Sequence, residues 1–157
     1  MNAQPRWLDD EEQQLWRLML AGFTKISRTI DDRLQAGGDI SSPEFSVLVA
    51  LSEAQDHTLR LRELCEELGW DRSRASHQVT RMKKRSLLTK KKCPGDARGV
   101  LVILTDQGMS HLEEAVPDHV ETVRRLIFDH LDADRADKIS EFFTDVLAAE
   151  DLPTNQL

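Results

Sequence analysis

A helix-turn-helix pattern that begins at Leu61 constrains the fold of this chain more than any other feature. Leu61, Leu64 and Leu68 follow the spacing i, i+3, i+7, which puts three leucines on one face of a short helix. Gly69 ends that helix, because glycine takes the left-handed conformation after a helix at no steric cost. Asp71 stands where the next helix needs an N-cap to accept its free N–H groups. The pattern predicts two helices joined by a tight turn.

The second helix is predicted to have one apolar and one strongly polar face. Ala75, Val79 and Met82 follow i, i+4, i+7 and form the apolar side. The other face is polar and largely basic, and it holds Ser73, Arg74, Ser76, His77, Gln78, Thr80, Arg81, Lys84 and Arg85. Such a face on the second helix of the pair is typical of helices that enter the major groove of DNA.

Two strand-like runs follow at residues 89–93 and 100–105, separated by a loop with one proline and two glycines. This punctuation predicts a β-hairpin, or wing. Lys90 lies on its first strand and Arg98 at its tip. An arginine on a hairpin tip suits the minor groove, where the negative potential is strongest when the groove is narrow. Asp96 is expected to hold the Arg98 guanidinium by a charge-assisted hydrogen bond.

The formal net charge of −7 is unevenly distributed along the chain. Residues 60–98 hold twelve Lys and Arg against five Asp and Glu, which gives +7, so the remainder carries −14. A basic patch on an acidic body orients a protein on nucleic acid, and the local charge outweighs the net charge there. The predicted partner is double-stranded DNA.

These segments together resemble the MarR family of winged-helix transcriptional regulators. The resemblance lies in residues 72–88, in the triplet Asp96-Ala97-Arg98 and in the run Leu104-Thr105-Asp106-Gln107-Gly108. Two positions depart from the family pattern, since Ser86 stands where glycine is usual and His77 where many members carry arginine. Base preferences therefore cannot be transferred from relatives.

The resemblance implies a mainly α fold with a small β-hairpin wing and with N- and C-terminal dimerisation helices. On a single domain over residues 1–157, the winged helix-turn-helix lobe is expected at about 40–105 and the dimerisation helices at about 8–36 and 109–150. The flanking segments hold more large apolar residues than a small winged lobe can cover, which also favours a homodimer. The implied function is a repressor on a pseudo-palindromic operator, released by a small aromatic or phenolic effector.

The outer-face side chains are expected to divide by the DNA groups that they contact. Base edges are the expected contacts of four side chains, since an arginine can fork onto guanine, a glutamine can pair with adenine and a histidine can donate to guanine: Arg74, His77, Gln78 and Arg81. Phosphate contacts, which fix position without reading sequence, are expected from Ser73, Ser76, Lys83, Lys84 and the wing lysines Lys90, Lys91 and Lys92. Trp16, Met19 and Phe45 are the candidate residues for an effector site between the dimerisation helices and the lobe, although ordinary core packing is the favoured interpretation of these three.

Local signals also predict where the flanking helices begin and end. Gly37 and Gly38 are expected to end the first helix, and Ser42 to cap the second with Pro43 in its first turn. Pro117 predicts a kink in the long helix that follows the wing.

Two alternatives to a DNA-binding repressor stay open. A winged helix can act as a protein-interaction module without a DNA ligand. Cys93 follows three lysines, which could activate its thiol and make it a redox sensor. Family sensors of that kind usually carry the reactive cysteine in the first helix, which here has none.

Other chemistry is poorly represented in the sequence. No nucleophile elbow, phosphate loop or HExxH pattern occurs, so no enzyme activity is expected. His111 and His119 lie near acidic residues, but solvated surface histidines are the favoured interpretation, and neither a metal nor a cofactor is predicted. The absence of a signal-like or twenty-residue apolar segment predicts a cytoplasmic protein without a membrane partner.

Overall fold

The computed structural model describes residues 5–150, apart from the side chain of Ala97. The fold is mainly α with a small winged sheet, as predicted. Residues 1–4 and 151–157 of the predicted single domain lie outside the described residues. The elements in chain order are α1 (Asp10–Gly38), α2 (Ser42–Glu53), β1 (Thr58–Arg60), α3 (Leu61–Leu68), α4 (Arg72–Lys84), β2 (Leu88–Cys93), β3 (Asp96–Leu104), α5 (Asp106–Leu126) and α6 (Ala133–Ala148).

The turn between α3 and α4 is built as the sequence predicts. Gly69 has φ 61°, the left-handed conformation in which glycine carries no Cβ penalty. Asp71 caps α4, because its carboxylate accepts the backbone N–H of Arg74 at 2.9 Å. Both predictions are confirmed, and they fix the direction in which α4 leaves the turn.

Three antiparallel strands form the sheet in the order β1-β3-β2. Val102 lies opposite Leu59 on one side and Lys90 on the other, and it is fully buried. The predicted loop at residues 94–99 is too long, because β3 begins at Asp96. A register shift after Lys92 lets the hairpin pairing continue to the tip, which reduces the connection to two residues.

One core holds the lobe together. Its largest fully buried side chains come from the helices α1 to α4, from the sheet and from the connections that follow α1 and α4. They are Leu34, Ile40, Val47, Leu48, Leu51, Leu64, Val79, Met82, Leu87, Leu88 and Val102. The apolar face predicted for α4 is thus inside, so its opposite face is the one presented to solvent.

The junction of α1 and α2 differs in detail from the prediction. Asp39, with φ 51°, takes the left-handed position after α1, and Ser41 rather than Ser42 is the N-cap of α2. Gly38 is small for a different reason, since a Cβ there would come 2.6 Å from the Cβ of Ala115 on α5. This glycine permits α1 and α5 to approach closely.

The described chain divides into two compact units, with the boundary after Thr122. In the second unit, Asp132 caps α6 by accepting the backbone N–H of Arg135 at 2.8 Å. α6 has no buried residue. In the first unit, α5 continues as helix through Pro117.

Candidate nucleic-acid interface

The outer face of α4 is exposed and bears the predicted polar side chains. Ser73, Arg74, His77, Arg81 and Lys84 are all exposed, and Ser76 is half-buried. A shallow groove along this face is lined by Arg72, Ser73, Ser76, His77 and Thr80. These side chains are available to a ligand because the core fixes the opposite face of the helix.

Arg74 is held in place by an aromatic ring that the sequence reasoning missed. Its guanidinium carbon lies 4.3 Å from the ring centroid of Trp70, which is a cation–π geometry. Trp70 is the residue after Gly69, so the turn itself brings the ring to the first turn of α4. A tryptophan beside a helix-turn-helix glycine, four residues before an arginine, was the available signal.

Gln78 does not lie on the free face, and that prediction is wrong. Its side chain is 7% exposed, and its amide nitrogen has no hydrogen-bond partner among the described residues. The position follows Ala75 by three residues and precedes Met82 by four, so it shares the buried side of the helix. The amide cannot reach a base edge from there.

The wing is joined to α4 by a lysine. The Nζ atom of Lys90 donates to Oγ1 of Thr80 at 3.3 Å, which connects β2 to the outer edge of α4. Arg98 is exposed on β3. Asp96 does not hold the Arg98 guanidinium as predicted, because its carboxylate accepts the backbone N–H of Arg98 at 3.0 Å. Asp96 therefore shapes the turn and leaves the guanidinium unrestrained by this carboxylate.

An ion-pair cluster anchors the far end of α4. Nη1 of Arg85 donates to both carboxylate oxygens of Glu44 at 2.9 Å. Nη2 of the same side chain donates to the backbone oxygen of Asp39 at 2.7 Å and to its carboxylate at 3.0 Å. Arg85 was predicted to belong to the free polar face, and this is wrong because its charge is used inside the lobe.

The turn after α4 explains the Leu-Thr-x-x-Gly sequence of the chain. Thr105 donates through Oγ1 to the backbone oxygen of Ser86 at 2.7 Å, and it accepts the N–H of Gly108 at 3.0 Å. A Cβ on Gly108 would overlap the carbonyl of Leu87. Ser86 itself has φ 60°, the conformation for which glycine is favoured.

The three candidate effector residues have different surroundings. Trp16 is half-exposed on α1, in a shallow groove that Trp7 and Leu8 also line. Met19 is half-buried. Phe45 packs against the core, with its ring centroid 4.4 Å from that of His119. Burial lowers the pKa of His119 from 6.5, since the charged imidazolium is poorly solvated there.

Cys93 is buried and His111 is partly buried. Cys93 is 7% exposed, whereas a sensor thiol must be reached by its oxidant, so the redox alternative gains no support. Nδ1 of His111 lies 2.7 Å from the carbonyl oxygen of Gly38. Over residues 5–150, no three His, Cys, Asp or Glu side chains group as metal ligands, and no helix is long and apolar enough to cross a bilayer.

Comparisons with known proteins agree with this geometry. The MarR family model matches residues 39–99. The organic hydroperoxide resistance transcriptional regulator of Bacillus subtilis is 32% identical over 108 residues, which are 67% of this chain and 69% of the relative.

Solved structures extend the likeness to most of the chain. A MarR family transcriptional regulator from Streptomyces coelicolor, crystallised in complex with DNA, is 35% identical over 95% of this chain and 98% of its own, with a TM-score of 0.87. A mutant MarR from Escherichia coli, complexed with operator DNA, is 25% identical over 90% of this chain and 99% of its own, with a TM-score of 0.77. The winged lobe, the basic face of α4 and these likenesses agree, and the chain belongs to the MarR family of transcriptional regulators, which are not enzymes.

Proposed function

We propose that this regulator is a repressor that binds a pseudo-palindromic operator as a homodimer and is released by a small aromatic or phenolic effector. The observation that carries the proposal is the exposed basic face of α4 beside a wing that also bears exposed arginine and lysine. A helix with this charge, backed by a rigid core, fits the major groove, and the wing extends toward the neighbouring minor groove.

The proposed base-reading side chains are Arg74, His77 and Arg81, all exposed on α4. The stacking of Arg74 on Trp70 supports its role, because a restrained guanidinium loses less side-chain entropy when it binds a base edge. Phosphate contacts are assigned to Ser73, Ser76, Lys83, Lys84 and Lys90, and a minor-groove contact to Arg98.

Exposed apolar side chains on α1 and α6 support the homodimer. Leu15 and Leu18 on α1 are 58% and 69% exposed. On α6, Val146 and Leu147 are 51% and 85% exposed. Apolar side chains in such number are typical of a protein interface. Two symmetric lobes would then contact half-sites whose centres are about 10 base pairs apart, one turn of the duplex.

Release by an effector requires a ligand that prefers one arrangement of the dimer. A ligand shifts the population only by its difference in affinity for two states, here two separations of the lobes. The exposed ring of Trp16 on α1 supports an aromatic ligand beside the dimerisation helices.

The test begins with selection of sequences from a random DNA pool by the purified chain. A pseudo-palindrome is expected, and its affinity is expected to fall with log salt at a slope of about −0.9 per phosphate neutralised. Arg81→Ala is expected to weaken operator binding by about 1–3 kcal/mol and to relax sequence preference. Lys138→Ala removes the same charge from an exposed pair on α6 and serves as the control.

Light scattering measures the oligomeric state in the same samples, and a dimer is expected. Recovery of no sequence above background, from protein shown by mass spectrometry to hold no ligand, would contradict the proposal. That result would leave the winged lobe as a protein-interaction module.

A further inference from the structure

A cleft between the wing and the start of the helix-turn-helix is lined by four arginines. It has a volume of about 250 Å³. Arg60 comes from β1, Arg62 from α3, Arg72 from the first position of α4 and Arg98 from β3. Four separate elements thus contribute an arginine to the lining of one concavity, whose remaining lining includes Leu61, Cys65 and Val100. Arg98 was a predicted DNA-contacting residue, whereas Arg60, Arg62 and Arg72 were not.

The positive charge of this arginine cleft is poorly compensated. Over residues 5–150, no ion pair or hydrogen bond is found for the guanidinium groups of Arg60, Arg72 and Arg98. Arg62 has only an exposed pair with Glu66 at 3.6 Å, which contributes little because water screens it. Asp96 also lines the cleft, but its carboxylate accepts the backbone N–H of Arg98.

We propose that the arginine cleft binds an oxyanion group, phosphate or carboxylate. Guanidinium groups match these ligands because their planar donors form paired, charge-assisted hydrogen bonds to two oxygens. A concave surface of one charge also focuses its potential and concentrates anions. Such a ligand would add negative charge to a cleft in which only Asp96 and the exposed Arg62–Glu66 pair supply it.

The oxyanion has two sources that share this chemistry. It is either a backbone phosphate of the bound duplex, which extends the footprint from α4 to the base of the wing, or a phosphate or carboxylate on a free small molecule. The first source rests on the proposed DNA-binding function. A free anion would compete with DNA through Arg98, which belongs to both the cleft and the proposed DNA surface.

The test uses the full-length chain with Arg60→Ala and Arg62→Ala combined. Both side chains are exposed, so the fold should persist, as circular dichroism will check. Neither is a proposed base-reading residue, so the sequence preference should also be kept. The control combines Arg135→Ala and Lys138→Ala, which removes two charges from exposed ion pairs on α6. Salt dependence of DNA binding is measured for each variant, and inorganic phosphate binding is followed by phosphorus NMR.

Each source predicts its own result. If duplex phosphate occupies the cleft, the cleft variant loses affinity equally for operator and random DNA, and its salt slope becomes shallower by about 0.9 per lost phosphate. If a free anion occupies it, inorganic phosphate binds the wild type and not the cleft variant. At fixed ionic strength and tenfold over its Kd, phosphate should then weaken wild-type DNA binding by about tenfold.

The inference is overturned if the cleft variant matches the control in both salt slope and phosphate binding. Failure of the cleft is distinct from failure of the proposed function. If Arg81→Ala loses operator binding while the cleft variant keeps the salt slope and the phosphate binding of the control, the proposed function is sustained and the oxyanion site is rejected. Phosphate binding that depends on the cleft, in a chain that selects no DNA, does the reverse.

Discussion

Glu44→Gln tests whether the ion-pair cluster at the end of α4 anchors that helix to the lobe. Glu44 is 6% exposed at its side chain and accepts both hydrogen bonds from Nη1 of Arg85. The same carboxylate accepts the N–H of Ser41 at 2.9 Å and completes the capping box of α2. Glutamine fills the same volume and is an accepted capping-box residue, so the substitution removes mainly the charge that Arg85 requires.

The expected loss follows from the burial of the two partners. Removing one partner of a fully buried pair costs about 3–5 kcal/mol, because the other charge is left uncompensated. The Arg85 side chain is 36% exposed, so water recovers part of that loss, and it keeps its bonds to Asp39. We expect a destabilisation of about 2 kcal/mol, which for a chain of this length lowers the Tm by about 4–8 °C.

Thermal unfolding at fixed protein concentration measures this effect. Asp39→Asn is the matched control, since it removes one carboxylate of the same cluster from a side chain that is 71% exposed. Asparagine also tolerates the left-handed conformation of that position, so the control should lose less than about 1 kcal/mol. A Tm for Glu44→Gln no lower than that of Asp39→Asn would refute the reasoning, because burial would then have no influence on the strength of the pair.

Three further predictions concern the turns that flank α4. Gly108→Ala should lower the free energy of unfolding by about 3 kcal/mol or more, because the added Cβ overlaps the backbone of the turn after α4. The control is Gly22→Ala on α1, where the added Cβ meets open space and should stabilise the helix. Thermal melts compare the two variants. Ser86→Gly should raise the unfolding free energy by about 0.5–1 kcal/mol in urea, because relief of the left-handed strain exceeds the entropy cost of glycine. An unchanged or lower midpoint contradicts this. Trp70→Leu should weaken operator binding, and a double-mutant cycle with Arg74→Ala should give a coupling of about 0.5–1 kcal/mol; additive losses would reject the stacking role.

The parts of the fold that the sequence predicted correctly depend on near neighbours in the chain. Gly69 and Asp71 act within one turn of their own positions, and the inner face of α4 follows from helical periodicity alone. The recognition of the family rests on the same local pattern. The exposed face of α4 could therefore be predicted, because helical periodicity shows which face of the helix is buried in the core.

The errors arise where a distant segment decides the role of a side chain. Arg85 reads as one more basic residue of α4, but its partners Glu44 and Asp39 are 41 and 46 residues away. Asp96 is only two residues from Arg98, yet in the folded hairpin its carboxylate accepts the backbone N–H of Arg98. No periodicity or spacing contains this information, since it depends on which loops the folded lobe brings together.

The same long-range contacts limit how an effector could act. Arg85 joins the end of α4 to the start of α2 and to the residue that ends α1, and Gly38 lets α1 contact α5 without an intervening side chain. The end of α4 is thus joined to α2 by partly buried bonds from Arg85 to Glu44, and to the residue after α1 by exposed bonds from Arg85 to Asp39. In the proposed dimer, an effector beside α1 would have to move the lobe as a rigid body, because turning α4 alone would break the Glu44–Arg85 pair. An effector should therefore change operator affinity. It should leave unchanged the difference between wild type and Glu44→Gln in the free energy of unfolding measured in urea.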